Sequence, residues 1–552
     1  MSKLYLYTIP TYRSERTYDL TVAACTLQGI FNREHPENRV YVLDTKKKRP
    51  AYWLELFSRK GGWLADFTRV KLDTFDTLAK LVMPYIKGKV IWDPKVPATL
   101  NAATTIAGVK DYVVLSPSLN AECSHLFGGM ETIDLRGKFD GSVTGSAKND
   151  VYRYMIAEYL EKGLCSDHFL CLYEDSASAR RSCTLGYVIT RDWAVYNRAF
   201  TYDLSPWGDE APKDDPNQPL GCDLETYKLM LDAQYRQTAG KKMCEVAGFF
   251  SFWKYSNIAG FPSKHDPVPT EWETVYNISP YNCYQNTVAH DCYNQSVHSQ
   301  HKIPKLHQGR PAEMDLENKC YVCIHMADYD STTPLYDFMP DKWHNDTRGK
   351  LPVGWGINPN LMETYPDIFE YLYANKSEND WFVGDASAAG YFNPNRIRPE
   401  HWDMVVAHNK HFYDAADMSV SPMVLDWEEP TALSKDHFAK FSPDGYSTII
   451  MDMHGNGGKD PEAHLWGDMA VDAMYNGACN WAGVEQTSRD FAKALKDLQP
   501  GEPTFRMIRM VWITPEQANA ALEGARALRP DLDIVPVDPF NYFRLLKKKL
   551  SK

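Results

Sequence analysis

The sequence predicts an α/β protein: N-terminal parallel-sheet subdomains followed by a C-terminal (β/α)8-like barrel of the TIM type. Three observations predict it. Short apolar runs alternate with helical stretches along most of the chain, the pattern of strands joined by crossover helices. The later runs place apolar residues at consecutive positions, as parallel strands covered on both faces do. Several of those later runs are followed at once by a carboxylate, and in a parallel α/β sheet all such positions share one edge.

The elements follow in order. TYDLTVAACTLQGIFNRE (17–34) has helical spacing, and RVYVLD (39–44) reads as a strand. GKVIWDP (88–94) is a second strand, TLNAATTIAGV (99–109) a helix of small residues, and DYVVLS (111–116) a third strand. HFLCLYED (168–175) continues the series. The stretch 201–221 is dense in Pro, Gly and Asp and reads as a loop. These features divide the chain into an α/β region of one or two subdomains (1–145), a second α/β module (146–238) and a barrel (239–552). Eight runs are assigned to the barrel: EVAGFFSFW, WETVYNIS, CYVCIHMADYD, PVGWGINP, WFVGDASAAGY, SVSPMVLDWEE, YSTIIMDMHGNGG and CNWAG. Stretches such as NPNLMETYPDIFEYLYANK and DPEAHLWGDMAVDAMYNG read as the polar or helical connections. RMIRMVWITP, the helix PEQANAALEGARAL and DIVPVDPF close or decorate the barrel.

Composition narrows the function. The chain has 552 residues, 44% hydrophobic and 24% charged, enough to bury a large core. Its net charge of −12 argues against a nucleic-acid grip, which needs clustered cations. No apolar run is long enough to cross a bilayer, so no membrane partner is expected. The first residues lack the apolar stretch of a secretory signal, so a cytoplasmic location is expected, with secretion open if a leader has been removed. The one C-x-x-C, Cys320 and Cys323, falls on a strand, where i and i+3 face opposite ways, and core packing is the expected role. No cofactor signature is present, and oligomeric state is not legible.

Chemistry concentrates at the strand ends. CIHMA precedes Asp328 and Asp330, WFVG precedes Asp385, MVL precedes Asp426, Glu428 and Glu429, and TIIM precedes Asp452 and His454. Carboxylates gathered on one rim raise one another's pKa, so that one holds a proton while another stays ionised. Such a set supplies a general acid together with a base or nucleophile. Any one of these Asp residues could equally be a helix cap. Tyr329, Trp355, Tyr391 and Trp427 decorate the same edge. Aromatic planes stack on sugar rings while carboxylates take the hydroxyls, so an oligosaccharide or glycoside is the expected substrate. Asn294 and His325 are further polar candidates. The expected consequence of Asp328→Asn is loss of turnover with little change in melting temperature.

Other chemistries are weaker. GDASAAG lacks the G-x-S-x-G spacing, which leaves Ser387 a poor nucleophile candidate. MHGNGGKD lacks phosphate-loop spacing. His408 and His411, with Asp328 and Asp330, would suit a metal-dependent carbohydrate deacetylase, but no H-E-x-x-H partner accompanies them. A carbohydrate-binding protein without catalysis is the other alternative.

The segments YVCIHMADYDSTTP, RGKLPVGWGINPNL and WFVGDASAAGYFNP resemble the GxGYxYP family of putative glycoside hydrolases, and TLQGIFNRE and IWDPKVPATLNAATTIAGV resemble that family's N-terminal region. The naming motif maps onto Ala388, Gly390, Tyr391, Asn393 and Pro394, with Ala388 and Asn393 departing from it. The family's Asp-Gly-Asp-Asn stretch corresponds to Asp328, Tyr329, Asp330 and Ser331. The resemblance implies N-terminal α/β subdomains, a C-terminal barrel-like domain and sugar chemistry. A Tyr in place of the family's Gly implies a narrower pocket.

Overall fold

The computed structural model describes residues 2–10, 14–175, 187–250, 254, 264–265, 267–422, 429–449, 462–479 and 482–552. The chain forms two compact units, residues 1–301 and 302–552.

The first unit contains three parallel sheets. Strands β1 (Lys3–Ile9), β2 (Arg39–Asp44) and β3 (Thr68–Leu72) pair in the order β2-β1-β3. Strands β4 (Gly88–Ile91), β5 (Tyr112–Leu115) and β6 (Glu131–Asp134) pair as β5-β4-β6. Strands β7 (Phe169–Leu172), β8 (Phe200–Tyr202), β9 (Cys244–Gly248) and β10 (Cys283–Asn286) pair as β10-β9-β7-β8. The helix Glu15–Glu34 starts at a capping box between Ser14 and Thr17 and is buried along most of its length. The helix Thr99–Lys110 is as fully enclosed, which its small side chains permit.

The second unit is a nearly closed parallel ring, as expected for the C-terminal region. Its strands are β11 (Cys320–Tyr329), β12 (Val353–Ile357), β13 (Asp380–Val383), β14 (Val420–Ser421), β15 (Gly445–Thr448), β17 (Met469–Cys479) and β18 (Thr504–Val511). Each pairs in parallel with the next along the chain, except β13 with β14, and β18 returns to β11. Between β13 and β14 the Gly384 amide donates to the Val420 carbonyl at 3.1 Å. Among the described residues the ring therefore has seven strands. Strand β16 (His464–Trp466) runs antiparallel to β17, and β19 (Ile534–Pro536) pairs with the start of β11.

The C-terminal helix Pro539–Leu550, capped by Asp538, covers the amino ends of the ring strands. Pro539 lies against Gly354, Phe540 meets Trp381 edge-on at 5.6 Å, and Phe543 fills the space beside Gly445. The Tyr542 hydroxyl donates to Asp472 Oδ2 at 2.5 Å. A side chain at Gly354 or Gly445 would occupy the helix's place.

Three expected elements differ. EVAGFFSFW supplies β9, which pairs in the first unit and not in the ring. WETVYNIS lies in the helix Pro267–Ile278, where three apolar positions at helical spacing outweigh β-propensity. DMAVDAMYNG, read as part of a polar or helical connection, forms most of β17. No helix among the described residues is long and apolar enough to cross a membrane, and the described cysteines form no disulfide.

Candidate active site

At the carboxyl ends of β11, β12, β13 and β18 a buried polar cluster forms. It begins with register. His325 of β11 lies beside Arg509 of β18, and Arg509 beside Asn476 of β17, so the three share one face of the sheet. Near its end β11 slips register against β12, between Met326 and Tyr329. Bulges of this kind re-aim side chains. Within that slip Asp328 adopts a left-handed backbone with φ of 68°. For a residue with a Cβ this conformation costs about 1–3 kcal/mol and persists only where its surroundings hold it.

Those surroundings are explicit. The Asp328 amide donates to Asp385 Oδ2 at 2.7 Å, and the Tyr329 amide donates to the same oxygen at 3.1 Å. The Trp512 indole N–H donates to the Asp328 carbonyl at 2.7 Å. Arg509 grips the Asp328 carboxylate, its Nη2 2.7 Å from both oxygens and its Nε 3.1 Å from Oδ1. The pair is mostly enclosed, with side-chain exposures of 17% and 20%. Charge-assisted bonds of this kind contribute about 1.5–3 kcal/mol each and offset the backbone strain. Arg509 Nη1 also donates to Asn476 Oδ1 at 3.2 Å.

Asp385 is fully buried two residues after β13. Its Oδ1 lies 3.1 Å from His325 Nε2, and its amide donates to Asn358 Oδ1 at 3.0 Å. Asn358 in turn donates from Nδ2 to the Ala386 carbonyl at 2.5 Å. Gly356 makes this packing possible: a Cβ there would overlap the His325 ring and lie 2.8 Å from Asp385 Cγ. Burial pushes the Asp385 pKa well above the usual carboxylate range, and the Asp328 charge adds to the rise, while Arg509 and the two amides oppose it. Burial likewise drives His325 down to about 3. The pair thus rests without net charge in its apolar setting.

Asp330 differs from both. It is half-buried, and Ser331 Oγ donates to its Oδ1 at 3.0 Å. Enclosure by the protein, then the Asp385 and Asp328 carboxylates, hold its pKa well above the ordinary value. A carboxyl group whose pKa is raised beside an ion-paired carboxylate is suited to donate a proton to a leaving group.

The cluster unites Asp328, Asp330, Asp385 and His325 from the expected residues. Others lie elsewhere. Trp355 is buried, its indole N–H donating to Asp380 Oδ1 at 2.8 Å and its ring against Trp343, so it packs behind the strand and offers no stacking plane. Tyr329 is fully buried, edge-on to Trp355 at 5.9 Å, because it follows the turned Asp328. Tyr391 is almost wholly buried in the loop after β13. Asn294 belongs to the first unit and replaces a strand neighbour of β2: Oδ1 accepts from the Val42 amide and Nδ2 donates to the Val42 carbonyl. Asp426, Trp427, Glu428, Asp452 and His454 lie outside the described residues. The Ser387 hydroxyl donates to the Phe392 carbonyl at 2.5 Å, which ties it into its own turn. His408 lies 2.9 Å from the Ala389 carbonyl. Among the described residues no three His, Cys, Asp or Glu side chains are arranged to hold a metal ion.

Arg509, Asn476, Asn358, Gly356 and Trp512 are absent from the sequence-based candidates. RMIRMV carried a signal for Arg509, since an arginine inside an apolar strand needs a buried partner. The glycines of VGWGI carried another, since Gly inside a strand marks a close approach.

Residues 318–544 match the family described as the GxGYxYP putative glycoside hydrolase C-terminal domain, and residues 86–163 match the GxGYxYP_N second domain. A crystal structure of a putative hydrolase from Bacteroides thetaiotaomicron VPI-5482 superposes with a TM-score of 0.72 at 15% identity, covering 100% of this chain and 95% of that one. A putative polysaccharide deacetylase from Mycobacterium smegmatis, at 12% identity, covers 44% of this chain and 96% of its own with a TM-score of 0.29. No curated protein matches the chain.

Proposed function

The chain belongs to the GxGYxYP family of putative glycoside hydrolases, and from that premise we propose that its barrel hydrolyses glycosidic bonds at the rim formed by β11, β13 and β18. One observation carries the reading. Asp330, with its raised pKa, stands two residues from a carboxylate locked to an arginine, so a proton donor and a fixed negative charge share one strand end. Asp330 is the general acid that protonates the leaving oxygen. Asp328 is the partner carboxylate facing the positive charge that develops on the sugar ring. Asp426 and Asp452 are further proposed partners for the second step. Asp385 holds the backbone of Asp328 and Tyr329 from below, with both oxygens engaged. The substrate is an oligosaccharide or glycoside.

The test is Asp330→Asn. Ser331 supplies its only hydrogen bond among the described residues, so folding is expected to be little changed. Turnover of an activated aryl glycoside is expected to survive better than that of a natural glycoside, because a good leaving group needs no proton. Natural-glycoside turnover is expected to fall by roughly 10²–10⁴-fold. Undiminished turnover of both would remove Asp330 from the acid role. Sugar affinity without turnover in the unaltered protein would favour the binding-protein alternative.

A further inference from the structure

A second feature of the barrel unit lies away from this rim. Strand β16 and the start of β17 are joined by a tight turn with Gly467 at φ of 58°, and beside it opens a surface cavity of about 530 Å³. Small-molecule sites typically have volumes of several hundred cubic ångströms. The cavity is lined by Trp466, Leu465 and Met469 from the hairpin, Asp468 from its turn, and Asp436 and Pro443 from around the preceding helix Ala432–Phe438.

Trp466 is half-exposed and held in place from two directions. Its indole N–H donates to Asp436 Oδ1 at 2.8 Å, and the Lys435 ammonium sits 4.2 Å from its ring centroid. Lys435 itself is not part of the cavity lining. A surface indole fixed by a hydrogen bond and a cation–π contact has already lost the freedom that binding would otherwise cost. The two carboxylates on the wall have ammonium neighbours: Lys547 lies 3.1 Å from Asp468, and Lys435 adjoins Asp436 in sequence and shares Trp466 with it. Each wall carboxylate thus has a lysine nearby, which argues against a site for a free cation and suits a neutral ligand. An aromatic plane, an apolar floor and carboxylate acceptors at the edge suit a sugar ring, with C–H faces on the indole and hydroxyls on the acids.

The position adds to this. Met469 begins β17, and all ring strands run the same way, so the cavity opens at the amino ends of the strands. Asn476, which touches Arg509, lies seven residues further along β17, roughly 23 Å away at the usual rise per residue. A single small glycoside cannot reach both places.

We propose that the Trp466 cavity is a second saccharide-binding site that anchors a neutral polysaccharide at the end of the barrel opposite the catalytic rim. That the anchored chain is also the substrate rests on the hydrolase reading; the binding itself does not. The experiment is affinity electrophoresis of the full chain through gels containing neutral soluble polysaccharides: xyloglucan, galactomannan and mixed-linkage glucan. The variants are Trp466→Ala and Trp466→Phe. At least one polysaccharide is expected to retard the unaltered protein. Trp466→Ala is expected to weaken that retardation by about tenfold and Trp466→Phe by less. Turnover of a short glycoside is expected to be unchanged in Trp466→Ala. Retardation by none of the three, or equal retardation of the protein and Trp466→Ala, overturns the proposal. Retardation that depends on Trp466 in a protein without hydrolase activity would uphold the site and reject the hydrolase reading.

Discussion

Asp328 shows how much one residue can depend on its neighbours. Its backbone is left-handed, its amide and carbonyl are each bonded to a side chain, and its carboxylate is clasped by Arg509. The sequence alone suggests that Asp328→Asn would leave stability nearly intact. The structure argues otherwise. Asn tolerates the left-handed backbone at least as well as Asp, so no strain is added. But the change leaves a mostly enclosed guanidinium without its counter-charge, which costs about 1–3 kcal/mol. Chemical denaturation of Asp328→Asn is expected to show that loss. In Asp328→Asn/Arg509→Gln the cost is expected to be smaller than the sum of the single changes, because the two side chains act as one pair. Strict additivity would mean that the ion pair contributes nothing to folding.

At the scale of elements, legibility followed burial pattern and failed where pattern was ambiguous. The ends of β11 and β13 were readable because an apolar run stops abruptly at a carboxylate. The Cys320–Cys323 pair was readable for the same reason: a buried strand leaves little else for it. β17 was not, since MAVDAMYNG mixes small and polar residues without a clear period of two or 3.6, and only pairing on both sides decides it. Asn294 was misplaced because a loop Asn looks the same whether it meets a ligand or a backbone. Arg509 went unnoticed since its partner is 181 residues away, a distance no local pattern spans. The pattern read from the sequence stops at DIVPVDPF and leaves the C-terminal helix unassigned, yet that helix fills the amino end of the ring. Phe543 is buried there, beside a glycine that has room for it and nothing else. Phe543→Ala is expected to lower stability by about 3–5 kcal/mol. A denaturation midpoint close to that of the unaltered protein would mean that the helix is a loose cover instead of a plug.

For the whole molecule, pH reports on the buried cluster through stability. His325 has a folded pKa of about 3, well under the usual value. Between pH 6.5 and that value the unfolded chain takes up a proton that the native ring refuses. The His325 contribution is therefore complete above pH 6.5 and falls as pH drops, by about 1.4 kcal/mol per unit. Asp330 and Asp385 act in the opposite sense. Their folded pKa values are raised, so the native state keeps protons that the unfolded chain releases. Their contribution is complete below the ordinary carboxylate range and is lost as pH rises through the raised values. The two trends partly cancel, and a chain of two compact units need not unfold in one step, so a single melting curve would hide both. The ring protons of His325 see the site directly. Their NMR shifts, assigned by comparison with His325→Gln, are expected to stay flat from pH 8 to pH 4. Titration near 6.5 would mean that water reaches the imidazole, and the neutral buried pair beneath Asp328 would have to be abandoned.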